Sequence, residues 1–87
     1  MSEIDATLAE RGAIYGDYAN VARTAQALKQ VLEFGASWDA MPDRQRESLH
    51  MIANKLARIV NGKPHRDSFV DIAGYSMLAA GDAPDVD

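Results

Sequence analysis

The 87-residue chain has no cysteine, which excludes disulfides and thiolate metal sites and fits a reducing compartment. No apolar run approaches the roughly 18–20 residues needed to span a bilayer. The N-terminus, Met1-Ser2-Glu3-Ile4-Asp5, is acidic and lacks the basic start and apolar stretch of a signal peptide. A cytoplasmic protein without membrane contact is the expectation. No Lys/Arg stripe marks the chain for direct nucleic-acid binding. Strand-like alternation, internal repeats and low-complexity segments are also missing, apart from the tail. What remains is a short chain of net charge −4, with 13 acidic and 9 basic residues. Part of the acidic excess sits in the tail, Gly81-Asp82-Ala83-Pro84-Asp85-Val86-Asp87, which is expected to be frayed and solvated.

The patterning is helical. Residues 3–10 suggest a short first helix with Ile4 and Leu8 on one face, broken by Gly12 and Gly16. Tyr15-Gly16-Asp17 reads as a turn in which Gly16 tolerates a positive φ. From Tyr18 to Phe34, Tyr18, Val21, Ala22, Ala25, Leu28, Val31 and Leu32 recur at i, i+3, i+4 and i+7. Asp17 is placed to cap this helix and Gly35 to stop it. After a loop containing Trp38, expected at the edge of the core, a long helix runs from Pro42 to Asn61. Its stripe is Leu49, Ile52, Ala53, Leu56, Ile59 and Val60. Asn61-Gly62 ends it, and Lys63-Pro64-His65-Arg66 connects to a last helix over 67–80. There Val70, Ala73, Met77 and Ala80 form one line. Gly74, costly inside a helix, signals close approach of another backbone. The class is all-α: a small helical bundle of three principal helices plus a short N-terminal one, in a single domain over 1–80. A chain of this size buries only about 60–65% of its unfolded surface, so its core is marginal.

Three constellations carry possible chemistry. Asp67 and Asp71 lie one helical turn apart, and Lys55 and Arg58 are neighbours on the preceding helix. Two carboxylates facing two cations suit a Mg²⁺ ion and a phosphate, because Mg²⁺ takes a few oxygen ligands and leaves positions for substrate. Equally, Asp67 is a helix cap and Asp71 a partner for Arg58 in a salt bridge between helices. The spacing leaves both open. Glu10-Arg11-Gly12-Ala13-Ile14-Tyr15-Gly16-Asp17 is either one wall of a nucleotide pocket or a turn with a packing Tyr and a capping Asp. Glu47 and His50 have the i, i+3 spacing of bundle metal sites, but also that of any polar helix face. His65 is in a connector beside Lys63 and Arg66. Phosphate loops, zinc motifs and Ser/His/Asp arrangements are absent.

Taken in order, Glu10-Arg11-Gly12-x-x-Tyr15-Gly16-Asp17, Lys55-x-Ala57-Arg58 and Asp67-Ser68-x-x-Asp71-Ile72-Ala73-Gly74-Tyr75 resemble a family of small phage and prophage proteins of largely uncharacterised role. The layout is similar to that of the MazG-like all-α nucleoside triphosphate pyrophosphohydrolases. The resemblance implies nucleotide binding or Mg²⁺-dependent hydrolysis in a bacterial host. Asp67 and Asp71 would hold the metal with Glu47 as third ligand. Lys55 and Arg58 would hold phosphate, and Tyr15 and Asp17 would shape the pocket. It also implies a homodimer or higher homo-oligomer that completes the bundle. One departure stands out. Those enzymes carry a Glu-Glu-x-x-Glu motif, whereas here Glu47 is followed by His50 and Met51. The alternative is a non-enzymatic viral interaction protein that binds or inhibits a host protein. Its charges would then weld helices through Arg58–Asp71 and Lys55–Asp67 pairs.

Overall fold

The computed structural model describes residues 2–81, so the acidic tail from Asp82 onward and its boundary with the domain lie outside the described residues. Four α-helices follow one another: α1 (Ser2–Tyr15), α2 (Tyr18–Glu33), α3 (Asp43–Asn61) and α4 (Arg66–Ala80). A single 3₁₀ turn, Trp38–Ala40, links α2 to α3. Among the described residues there is no strand, and the all-α expectation holds. Among the described residues no helix is long and apolar enough to cross a membrane.

The first helix is longer than its sequence suggests. Gly12 does not break it, because a glycine on an exposed helix face only weakens the helix by about 1 kcal/mol relative to Ala. Glu3 and Asp5 in the first turn suit the positive end of the helix dipole, and the Thr7 hydroxyl donates to the Glu3 carbonyl. The chain leaves α1 only at Gly16, the one described residue with positive φ, +92°. Asp17 occupies the N-cap position of α2, but its side chain makes no capping hydrogen bond. At the far end the Phe34 and Gly35 amides close back onto Val31 and Leu32, as the glycine there implies. Pro42 precedes α3, and its carbonyl accepts from the Gln45 and Arg46 amides.

The central element is α3, flanked by α2 on one side and α4 on the other. The contacts are made by small residues. Ala25 of α2, Ala53 and Ala57 of α3, Ser48 and Ser68 are buried, with Trp38 closing one end. Small side chains let helix backbones approach closely, but they bury little apolar area each. Accordingly the expected stripes are only partly inside. On α2, Tyr18 and Val31 are exposed, and on α3 so are Leu56 and Val60.

The last helix departs most from expectation. Val70, Ala73, Met77 and Ala80 point away from α3, while Ser68, Ile72, Tyr75 and Ala79 are its less exposed residues. Periodicity finds the apolar lines of a helix but does not rank them when two lines are apolar. No atom outside the local helix lies within 4 Å of a Cβ built on Gly74, so the backbone approach expected there is not made within the chain.

Candidate functional site

The chain crosses itself where α1 ends and α3 ends. A Cβ on Gly16 would stand 2.1 Å from the Asn61 carbonyl oxygen, and one on Gly62 would stand 2.3 Å from that of Ile14. Only glycine fits at either position. The Lys63 amide donates to the Ile14 carbonyl at 2.8 Å and fixes the crossing. The Asn61 amide donates to Ala57 O at 2.8 Å and to the Thr24 hydroxyl at 3.0 Å, tying the same point to α2.

The crossing sets the Tyr15 ring in place. The Arg58 guanidinium lies over its face, 4.9 Å from the centroid, a cation–π contact. The His65 ring meets Tyr15 edge-on at 5.0 Å. His65 is itself pinned at both nitrogens. A carbonyl only accepts, so Nδ1 donates to Lys63 O at 2.6 Å. In the neutral ring Nε2 then accepts from the Ser68 hydroxyl, also at 2.6 Å. Ser68 is 2% exposed, so this bond satisfies a buried polar group. His65, not Asp67, holds the N-cap position of α4. Asp67 is an exposed first-turn residue.

Beside Tyr15 opens a cavity of about 800 Å³ between α1, α2 and α3. Leu8, Val21, Ala22 and Ala25 give it apolar walls, and Tyr15 and Tyr18 give it two aromatic rings. Gln26 and Asn54 supply amides. Its charges are Arg11 from α1, Lys29 from α2 and Arg58 from α3, against the single acid Asp17. Among the described residues no carboxylate is within ion-pair distance of any of these three cations. Three cations against one acid, in a chain of net charge −4, make a local reversal of the molecule's charge.

The expected site residues divide accordingly. Tyr15, Asp17 and Arg58 meet at this cavity. Lys55 does not line it. Its ammonium is 3.1 Å from an Asp71 carboxylate oxygen, with the lysine side chain mostly buried. The bridge between α3 and α4 is therefore Lys55–Asp71, in place of the Arg58–Asp71 and Lys55–Asp67 pairs expected from spacing. One turn of helix separates Lys55 from Arg58, and the two side chains diverge, one to α4 and the other to Tyr15. Glu47 is exposed on α3, and no three His, Asp or Glu side chains gather into a metal-ligand group among the described residues. Glu47, Asp67 and Asp71 thus do not form one set. His50 turns instead toward Glu33 at 3.4 Å and lies against the Trp38 ring.

Arg11 lies in the charged pair of the motif read as one wall of a pocket, and it does line the cavity. Three other contributors carry no chemical signal in the sequence. Lys29 carries no signal at all, since it becomes a site residue only when α2 folds back beside α1. Asn61 and Gly62 read as a helix end, and their partner, the Tyr15-Gly16 turn, lies 45 residues away.

A family model described as a domain of unknown function, DUF6378, matches residues 3–82. No curated protein and no solved structure matches the chain.

Proposed function

As the chain belongs to the DUF6378 family, we propose that its α1–α2–α3 cavity binds a nucleotide or a closely similar phosphorylated aromatic ligand. The observation that carries this reading is the set of three cations, Arg11, Lys29 and Arg58, without a carboxylate partner among the described residues, around an apolar and aromatic cavity. Arginine forks match phosphate oxygens two at a time, and lysine adds a point charge. Tyr18, 83% exposed at the start of α2, offers a ring on which a base can stack. The Tyr15 face is already taken by Arg58, so Tyr15 positions that guanidinium. The volume lies within the ordinary range of ligand sites, about 300–1,000 Å³. The similarity of the layout to that of the MazG-like pyrophosphohydrolases, whose Glu-Glu-x-x-Glu motif this chain does not carry, supports the same ligand class.

Binding is the reading the geometry supports, and no hydrolytic step is assigned. Asp71 is held by Lys55, and Glu47, Asp67 and Asp71 do not gather into one group, so no centre built on all three carboxylates is proposed. A divalent ion carried on the ligand's own phosphates is compatible with the cavity.

A thermal-shift panel of nucleoside mono- and triphosphates, free nucleosides and inorganic phosphate, with and without Mg²⁺, tests the proposal. Triphosphates are expected to raise the melting temperature by several degrees at millimolar concentration, and nucleosides by less. Silence across the whole panel would favour an interaction protein without a nucleotide site.

A further inference from the structure

We infer that His65 is a positioning residue for the cavity: through Tyr15 it holds the Arg58 guanidinium where a ligand's phosphate would meet it. Its effect on affinity rests on the nucleotide reading; the placement of Arg58 does not.

Of the three cavity cations, Arg11 and Lys29 make no hydrogen bond, ion pair or ring contact among the described residues. Arg58 is held, 4.9 Å from the centroid of the Tyr15 ring. That contact orders a long side chain before any ligand arrives, so less rotamer entropy is lost on binding. Its neighbour on α3 shows the alternative. Lys55, one turn earlier, is drawn to Asp71 on α4 and does not line the cavity.

The direction of Arg58 therefore depends on Tyr15. Tyr15 is the last residue of α1, a helix with no buried residue, so packing along α1 does not set its ring. Its two ring neighbours are Arg58 and His65, and His65 is the rigid one. The two rings stand at 78° with centroids 5.0 Å apart, a favourable edge-to-face pair. Both imidazole nitrogens are bonded, to the Lys63 carbonyl and to the hydroxyl of the buried Ser68. The ring cannot turn without breaking one of those bonds. His65 itself does not line the cavity. It acts from behind Tyr15 and links the start of α4 to a site built by the other three helices.

The test joins NMR spectroscopy of the free chain to an ATP titration. In the unmodified chain, nuclear Overhauser contacts between the His65 and Tyr15 rings are expected. The Arg58 side-chain protons, identified by their loss in Arg58→Ala, should lie upfield of those of the other arginines, because they sit over a ring face. In His65→Asn, whose amide can still donate to the Lys63 carbonyl, these signals are expected to move toward the other arginines. ATP binding should weaken about three- to tenfold, the size of one ring contact. In an Arg58→Ala background the same change should alter ATP binding less than about twofold, which a merely structural loss would not do. His65→Phe, which restores a ring edge without the hydrogen bonds, should recover part of the affinity. If His65→Asn unfolds, the ring–ring contacts and the His65→Phe titration in both Arg58 backgrounds decide. Missing ring–ring contacts, unmoved Arg58 signals in folded His65→Asn, or equal loss of ATP affinity in both backgrounds would overturn the inference. A chain that binds no ATP yet shows the expected spectra keeps the placement of Arg58 and contradicts the nucleotide reading alone.

Discussion

At the scale of single residues, the clearest physics is at glycine. Gly12 and Gly16 are four apart in one motif, yet they do opposite things. Gly16 has φ +92° and no room for a Cβ against the Asn61 carbonyl. Gly12 is an exposed helical residue with nothing within 4 Å of its Cβ position. Gly16→Ala is therefore expected to destabilise the chain by at least about 2–3 kcal/mol, from backbone strain and the forced opening of the crossing. Gly12→Ala should instead strengthen α1 by about 0.5–1 kcal/mol, seen as more helix by circular dichroism. Chemical denaturation of the two variants side by side checks both signs. The sequence exposed this only in part. Glycine as the residue for a positive-φ turn could be read at position 16. The reason it is irreplaceable could not, because it lies in the backbone of residue 61. His65 shows the same limit. It looked like a solvated connector residue, and it is the bridge between a backbone carbonyl, a buried serine and the Tyr15 ring.

At the scale of elements, the number and kind of helices were legible, because 3.6-residue periodicity and the stop signals at Gly35 and Gly62 act locally. Which face of each helix turns inward was less legible. α4 has two apolar lines, and the less apolar one docks on α3 because Ser68 and Tyr75 find partners or cover there. The charge pairing was misread for a similar reason. Lys55 and Arg58 are neighbours on α3, but their side chains part toward different helices. Lys55 then joins α3 to α4 through Asp71. This pair is half-exposed at the acid and nearly buried at the lysine, so it lies between the surface and interior limits. Asp71→Ala is expected to cost about 1–2 kcal/mol, by leaving a mostly buried ammonium unpaired. That corresponds to a fall of roughly 5–15 °C in melting temperature for a domain of this length. The loss should appear in metal-free buffer, and added Mg²⁺ should neither cause nor reverse it. An Asp71→Ala variant with unchanged melting would free Asp71 for a ligand role instead.

At the scale of the whole molecule, a thin core of alanines and serines sits between helices whose larger apolar side chains look outward. One outward surface, on α4, leaves Phe69, Val70 and Met77 exposed. Another region, between α1, α2 and α3, gathers three cations around aromatic and apolar walls. The three motifs that looked like parts of one metal-and-phosphate centre divide between these tasks. Tyr15-Gly16 and Arg58 build the cavity's end, while Asp71 belongs to the α3–α4 bridge and Gly74 to the outer face. Binding in the cavity is the central claim, and its most direct measurement is a calorimetric titration of the full chain with ATP. Performed at about 50 and 200 mM salt, it should show saturable binding with one site per chain. Binding should weaken at the higher salt, because the attraction runs through cations that solvent reaches at least in part, screened over about 10 Å. Arg11→Ala removes one of those cations from an exposed position on α1 that supports no packing. It is expected to weaken binding about tenfold while leaving the melting temperature unchanged. Absence of heat at both salts, or undiminished ATP affinity in Arg11→Ala and in an Arg58→Ala variant that remains folded, would contradict the assignment of this cavity.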